Sequence, residues 1–506
     1  MDAFKQWPPS LPVKEQTDLL TRAMDYLPFH GALMRPAVGQ ITTRPADATG
    51  NALLDMSDTA FVMHAPFALF PSPFPRDAFN LSLQLQPLFN RLVHAVSQDQ
   101  AFLHRVFAPI APVDPFTGAL YRLWSEMRPS HQSVVLGLHR SDYMLHMDPE
   151  DHQMKPLQVE LNTIASSMAQ LATQTSAMHS YLADLTSFYN ASDPHTLDID
   201  PACLPPNRAL QGLVDGLAAA CKAYTPSSNT KESQIVVLMV VQPKERNAFD
   251  QRALEYDLYR RHQVTMMRRT LAEVAKEARY AEVDDRRRLM LGDKEVAVAY
   301  YRAGYGPGDY PTDAEWQARR LIEESYAIKC PTVAYQLVGA KKVQQVLAEP
   351  DMLEQYLPSS DAATLRRCFA GIYPLDASKA GLEAYRLALS TPDLFVMKPQ
   401  REGGGNNFYG EDIPKQLATL SVEERGAYIL MERIRPPPYK NILVRQGVAV
   451  ETDVICELGV YGAYLHDGET ERMNSTAGTL LRTKSTTTNE GGVATGYSVI
   501  DSPFLI

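Results

Sequence analysis

Apolar residues in FNLSLQLQPLFNRLVHAVSQDQAFLHRVF (79–107) recur at mixed three- and four-residue spacing, which predicts helix, and residues 1–130 read as mainly helical. The Pro-rich FALFPSPFPRDAF just before reads as a connecting loop. From 133 the pattern changes, and SVVLGLHRSDYML and PLQVELNTIASS read as strands with polar residues toward their C-terminal ends. From 234 strand and helix alternate. QIVVLMVV (234–241) predicts a buried strand, FDQRALEYDLYRRH (249–262) a helix, VTMMRRT (264–270) a second strand and LAEVAKEARYAEV a second helix. RRLMLGDKEVAVAYYRAGY reads as a hairpin turning at Gly292-Asp293. Such alternation implies a mostly parallel sheet with helices against it. Helices return in KKVQQVLAEPDMLEQYL and SKAGLEAYRLAL, and the strands LFVMKPQ, YILMERI, NILVRQG, DVICELGVYGAYL and TLLRTKS follow, joined by glycine-rich loops. No repeat, low-complexity tract or linker interrupts the chain, so its lobes are expected to form one body.

Composition narrows the class. A chain of 506 residues, 45% hydrophobic and 21% charged, has room for several cores. The net charge of −10 argues against a general nucleic-acid binder, yet a basic cleft on an acidic body still suits an anionic substrate. Five cysteines, never spaced C-x-x-C, argue against a disulfide framework or a zinc site. No apolar run reaches the length of a membrane span, and MDAFKQWPPSLPVKEQTDLL lacks the apolar core of a secretory signal. A cytoplasmic, reducing location is the expectation, with the sequons at Asn80, Asn190 and Asn474 chance matches.

Three constellations carry chemistry. In LFVMKPQREGGGNNFYGEDI a strand delivers Lys398 at its end, and Gly403-Gly404-Gly405 leaves the backbone free to wrap phosphate oxygens. Lys398 supplies a cation and Glu402 a carboxylate for Mg²⁺. A glycine triplet alone favours a plain surface loop; the flanking charges and asparagines turn the balance to the phosphate reading. In Gln158-Val-Glu160-Leu-Asn162, strand alternation puts Gln158, Glu160 and Asn162 on one face, suited to a hard cation or to plain solvation. Arg482 and Lys484 share a strand face beside Glu490-Gly-Gly-Val-Ala494, either an anion grip or a solvated basic face. HRSDY (139–143), KERNAFDQR (244–252) and YRAGY (301–305) place further polar groups at strand ends or a helix start, where ligands of α/β folds bind. No Walker A loop, dinucleotide fingerprint, HExxH, G-x-S-x-G or Cys–His pair is present; Gly304-Tyr-Gly306-Pro-Gly308 reads as a turn, and His139 and His146 flank a polar loop as structural residues. What remains is positioning and charge stabilisation, as in phosphoryl transfer.

These residues resemble the eukaryotic-type glutathione synthetase family. The likeness runs through APFALFPSPFP, LVHAVSQD, LGLHRSDYM, VELNTIASS, KERNAFDQRALE, YYRAGY, AKKVQQVL, MKPQREGGGNNFYGE, YILMERI, ELGVYGAYL, LLRTKS and EGGVATG. The resemblance implies an α/β ATP-grasp fold: a catalytic body (1–233 and 342–506) with N-terminal helices, an inserted parallel α/β substrate-binding domain (234–341), and a lid at about 380–435. It implies a homodimer that joins γ-glutamylcysteine to glycine with ATP and Mg²⁺ through an acyl phosphate. Glu160, Asn162 and Glu402 match the metal ligands. Glu160, Lys341, Lys398, Pro399, Gln400, Arg401, Glu402, Gly403, Gly404, Gly405, Asn406, Asn407 and Tyr409 match the ATP site, with Met431, Glu432, Arg433 and Ile434 at the adenine, Glu457 at the ribose, and Lys484 and Glu490 as further contacts. Ile164, Ala165, Ser166, Ser167, Glu245, Arg246, Asn247, Gln251, Arg302, Ala303, Gly304 and Tyr305 match the dipeptide site. Arg482 with Val493 and Ala494 matches the glycine site, and Arg140, Lys398 and Arg482 the catalytic cations. Ala165 replaces the family's common serine and Ala303 an acidic residue; the small Ala494 resembles glycine-using rather than β-alanine-using members.

Overall fold

The helix Arg76–Gln98 shows how the pattern becomes packing: Phe79, Leu85, Phe89, Leu92, Val93 and Val96 form one buried stripe. Burying each such side chain contributes about 1.5–3 kcal/mol. In the polar part of the same face, Gln86 donates to Asn90, which donates to Asn474 across on the sheet. The computed structural model describes residues 7–8, 11–36, 61–150, 152–185, 201–228, 230–231, 234–283 and 285–506. Part of the expected N-terminal helical region, the sequon at Asn190 and the boundary at 233 lie outside the described residues.

A seven-stranded sheet organises the body. Its order is Tyr439–Arg445, Phe67–Ala68, Ser498–Asp501, Glu471–Ser485, Val448–His466, Val135–Met147 and Met154–Asn162. The last four strands are joined antiparallel, as strands joined by direct turns can be. FALFPSPFPRDAF is therefore more than a loop. Phe67–Ala68 and Ser72–Phe74 pair into sheets through Leu443, Ile500 and Phe504, because this apolar run is buried where the C-terminal strands need partners.

A second sheet runs Thr265–Arg269, Ile235–Val240, Lys294–Tyr301, Arg286–Leu291, Ala278–Val283, with Ile328–Cys330 beside Lys294–Tyr301. Three of its pairings are parallel and two antiparallel. The predicted turn holds, with Gly292 at φ +62°. LAEVAKEARYAEV is helix only over Leu271–Glu277, capped by a Thr270–Glu273 box; Ala278–Val283 is a strand. Its apolar positions could follow either period, and pairing with Arg286–Leu291 decides. A third, four-stranded sheet holds Ile372–Pro374, Ile429–Glu432, Phe395–Lys398 and Phe408–Tyr409, all antiparallel, over a small core of its own.

Candidate active site

On the long strands, cross-strand partners share a side, so register alone gathers a charged face. Arg140 lies opposite Asn162 and Tyr461, Asp142 opposite Glu160 and Gly459, and Glu457 opposite Arg482, with Lys484 two residues on. Strand alternation fails at one point. Asp142 pairs with Glu160, but the next residue, Tyr143, pairs with Gln158, so Val159 is the extra residue of a β-bulge. The bulge turns Gln158 to the opposite face, where it is buried and accepts from Gln344 Nε2 at 3.1 Å. Glu160 and Asn162 keep the expected side, and Val159 joins them at the cavity, its carbonyl accepting from Lys398 Nζ at 3.0 Å. Nor does HRSDY close a strand. It lies within Val135–Met147, where His139 is fully buried without a hydrogen-bond partner and burial pushes its pKa down to about 3. His146 is on the same strand, not a loop edge, and accepts from the Arg435 N–H.

The charged face is one wall of a cavity of about 760 Å³. The small sheet contributes Val396, Lys398 and Tyr409, the turn after the second-sheet strand Lys294–Tyr301 contributes Arg302 and Tyr305, and the loop after Lys484 residues up to Thr495. Lys341, at the first turn of Lys341–Leu347, reaches Glu160 at 3.5 Å, Glu402 at 3.8 Å and the Arg401 carbonyl at 2.7 Å. Burial opposes ionisation of Glu160, but Lys341, Lys398, Arg482 and Arg140 outweigh it and hold its carboxyl low. Glu402 goes the other way: burial, with Glu160 and Asp142 nearby, holds its carboxyl high despite Lys341. Burial also pulls Lys398 down to about 8, only partly offset by Glu160.

The glycine loop needs its glycines. Gly403 and Gly405 have φ of +81° and +94°, and a Cβ on Gly404 would stand 2.4 Å from the Gly491 carbonyl oxygen. Two loops interlock here. Gly405 N–H donates to Glu490, Tyr409 hydroxyl to the Asn489 carbonyl at 3.3 Å, and Lys484 Nζ to the Asn489 and Glu490 carbonyls at 2.6 and 3.0 Å. Arg433 donates to the Asn489 side chain at 3.0 Å.

Elsewhere in the cavity wall, Arg302 pairs with buried Asp250 at 2.9 Å, leaving its Nη1 buried and without a hydrogen-bond partner. Asn247 Oδ1 is likewise buried and unpaired. Both residues line the cavity, as do Glu245, Arg246, Ile164, Ala165 and Ser167. Arg140 donates to the Ser167 carbonyl at 3.3 Å, and Arg246 to the Ala494 carbonyl at 2.7 Å. An unpaired guanidinium nitrogen beside an unpaired amide oxygen complements a ligand carrying both an anion and a donor.

The structure brings most of the sequence-selected residues to this cavity and leaves some behind it. Met431, Glu432, Arg433, Ile434, Glu457, Lys484, Glu490, Val493 and Ala494 line it. Gln251 is fully buried between Glu245 and Arg268, and Ser166 donates to the Leu138 carbonyl. Ala303 is buried, and the Gly304 carbonyl accepts from Gln336. Gln400 is held by Lys342 N–H and the Ala427 carbonyl; Pro399, Arg401, Gly405 and Asn406 face a second recess across the loop, where Arg401 pairs with Asp114 at 2.5 Å. Asp142 and Asp250 fall in the candidate segments HRSDY and KERNAFDQR, but the sequence assigned neither a role. Asp142 lies two residues from Arg140, on the same strand face, and that alternation was the available signal. Asp250 accepts from the Met168 and Gln170 N–H groups, a contact between distant segments with no local signal.

The sequence profile described as "Eukaryotic glutathione synthase, ATP binding domain" matches residues 13–505. The chain belongs to the eukaryotic glutathione synthase family. It is 42% identical over 452 residues to the chloroplastic glutathione synthetase of Solanum lycopersicum, covering 88% of this chain and 78% of that one. It is 39% identical to the glutathione synthetase of Rattus norvegicus (97% and 98% covered) and 38% identical to that of Homo sapiens (99% of each). A glutathione synthetase-like effector from Globodera pallida shares the fold, with a TM-score of 0.74 at 22% identity over 98% of both chains. Family membership makes the chain an ATP-dependent ligase with glutathione synthetase activity. No helix among the described residues is long and apolar enough to cross a membrane, and the five cysteines are unpaired.

Proposed function

We propose that the cavity joins γ-glutamylcysteine to glycine with ATP, and that the residues lining it divide this work. The observation that carries this reading is their grouping. Lys341 and Lys398, the carboxylates Glu160 and Glu402, the arginines Arg140 and Arg482, and Arg302 and Asn247 with their unpaired buried atoms all line one cavity. ATP lies between the glycine loop and the Met431–Ile434 segment, with Lys341 and Lys398 on its phosphates. The dipeptide's α-carboxylate and ammonium meet Arg302 Nη1, Asn247 and Glu245. Its cysteinyl carboxylate attacks the γ-phosphorus, ADP leaves, and an acyl phosphate forms; Arg140 stabilises the charge on the reacting oxygens. Glycine, held by Arg482 through its carboxylate, attacks the acyl carbon with its amine, and phosphate departs as the amide forms.

Glu160, Asn162 and Glu402 fit Mg²⁺. Asn162 uses its Nδ2 on Asp142 and the Arg140 carbonyl, which leaves Oδ1 for a cation. A dication would also relieve the crowding that keeps the Glu402 carboxyl high. Bound there with the triphosphate, the ion would neutralise phosphate charge. A homodimer in the cytoplasm completes the reading, in keeping with the unpaired cysteines.

The test is the product. Incubation with ATP, γ-glutamylcysteine and equimolar glycine and β-alanine should yield glutathione as the dominant peptide by mass spectrometry. A dominant β-alanine adduct would overturn the acceptor assignment.

Lys398 gives a pH prediction with a definite sign. Its ligand-free pKa is about 8, and phosphate beside it must raise that value. ATP binding above this pH therefore takes up a proton, and affinity weakens as pH rises, by up to about tenfold per unit. Calorimetry in two buffers of different ionisation heat reads the uptake. Uptake that persists in Lys398→Met would assign the proton elsewhere.

A further inference from the structure

Asp142 is fully buried, yet it sits among cavity-lining cations on the strand Val135–Met147. Its Oδ1 accepts from Arg140 Nε at 2.6 Å and its Oδ2 from Arg140 Nη2 at 2.8 Å, a two-point carboxylate–guanidinium fork. The same Oδ2 accepts from Arg482 Nη2 at 2.9 Å and from Asn162 Nδ2 at 2.9 Å. One carboxylate thus touches a group from each of three functions: the acyl arginine, the acceptor arginine and the metal-side asparagine.

The backbone is shaped for this. Arg482 is on the strand Glu471–Ser485, two strands away from Asp142, with Val448–His466 between them. The residue of that middle strand opposite Asp142 is Gly459. A Cβ there would stand 2.7 Å from Asp142 Oδ1 and 2.8 Å from Arg140 Cδ, so the carboxylate crosses the middle strand only over a glycine. The two arginines repel each other, and Asp142, with Glu457 on the middle strand opposite Arg482, is what holds them at a fixed separation.

We propose that Asp142 is a positioning residue that sets the separation of Arg140 and Arg482, and with it the length of amino acid the ligase accepts. This inference rests on the assignment of Arg140 to the acyl group and Arg482 to the acceptor carboxylate made above. Arg140 Nη2 and Arg482 Nη2 reach the same Asp142 oxygen, at 2.8 and 2.9 Å, so the two guanidinium groups are set close together, and a longer spacer between acyl carbon and acceptor carboxylate would have to push them apart. Orientation of this kind is steep in distance, because misplacement by about 1 Å can cost on the order of 10²-fold in rate.

The experiment uses the full-length protein and two substitutions that perturb the bridge differently. Asp142→Asn keeps the shape and removes the charge; Gly459→Ala keeps every charge and pushes a methyl group into the bridge. Each is compared with Asp501→Asn, which removes another buried carboxylate, one bound to Ser72 and Thr483. For each, KM and kcat are measured with glycine and with β-alanine, and ATP affinity by calorimetry. The expected result for Asp142→Asn is a glycine KM raised about tenfold or more and a glycine to β-alanine selectivity reduced by a similar factor, with ATP affinity within about twofold. Gly459→Ala should shift selectivity the same way, and Asp501→Asn should leave it unchanged. Equal loss with both acceptors, loss of ATP affinity in parallel, or failure of Asp142→Asn to fold while Gly459→Ala keeps wild-type selectivity would each overturn the proposal. A wild-type protein that ligates neither acceptor would instead refute the functional reading beneath it.

Discussion

Glu402→Ala is expected to lower kcat by about two to three orders of magnitude while leaving the melting temperature nearly unchanged. The reason is that Glu402 does little for the fold. It is half-buried on a loop, its one ion pair is the 3.8 Å contact to Lys341, and its carboxyl is held high by burial and neighbouring acids. On the proposed assignment, removing it takes away a metal ligand and no packed side chain. Lys341 keeps Glu160 and the Arg401 carbonyl as partners, so no buried charge is stranded. Steady-state kinetics at saturating ATP and Mg²⁺, with a thermal melt on the same preparation, check the prediction. Near-normal turnover would show that Glu402 does not hold the metal.

Gly404→Ala is expected to reduce kcat on the order of 10²-fold, through the two interlocked loops and not through ATP contacts. Its new methyl group would collide with the Gly491 carbonyl at 2.4 Å, and a backbone oxygen cannot turn aside as a long side chain can. The two loops then cannot interlock, and the contacts of Gly405 and Tyr409 with Asn489 and Glu490 are lost together. Gly403→Ala is the informative partner. A Cβ there meets nothing within 4 Å, so its cost is only the strain of φ +81°, about 1–2 kcal/mol. Single-turnover kinetics should place Gly404→Ala well below Gly403→Ala. Equal effects would point to backbone strain in both and against loop interlock.

Much of this site was legible in the sequence because its chemistry is local. Lys398, Glu402 and the three glycines fall within one short run, and strand alternation already paired Arg482 with Lys484. The elements were legible for the same reason, since long amphipathic runs such as 79–107 carry their own period. The bulge at Val159 was not legible. It depends on which residue of the neighbouring strand Gln158 pairs with, and one sequence does not record register. The same holds for Ala278–Val283, where a partner strand overrides a helical pattern. The roles of Asp142 and Asp250 were not legible, although their segments were, because each gathers groups from segments far apart in the chain. Buried carboxylates that organise arginines look, in a sequence, like any other aspartate.

The central question is whether ATP cleavage depends on both halves of the peptide bond. A coupled ADP-release assay with γ-glutamylcysteine and glycine, omitting each in turn, measures this directly. Sustained ADP release is expected only when both are present, stoichiometric with glutathione formed. Sustained ADP release without γ-glutamylcysteine, or none with both substrates and Mg²⁺ supplied, would contradict the proposed ligation.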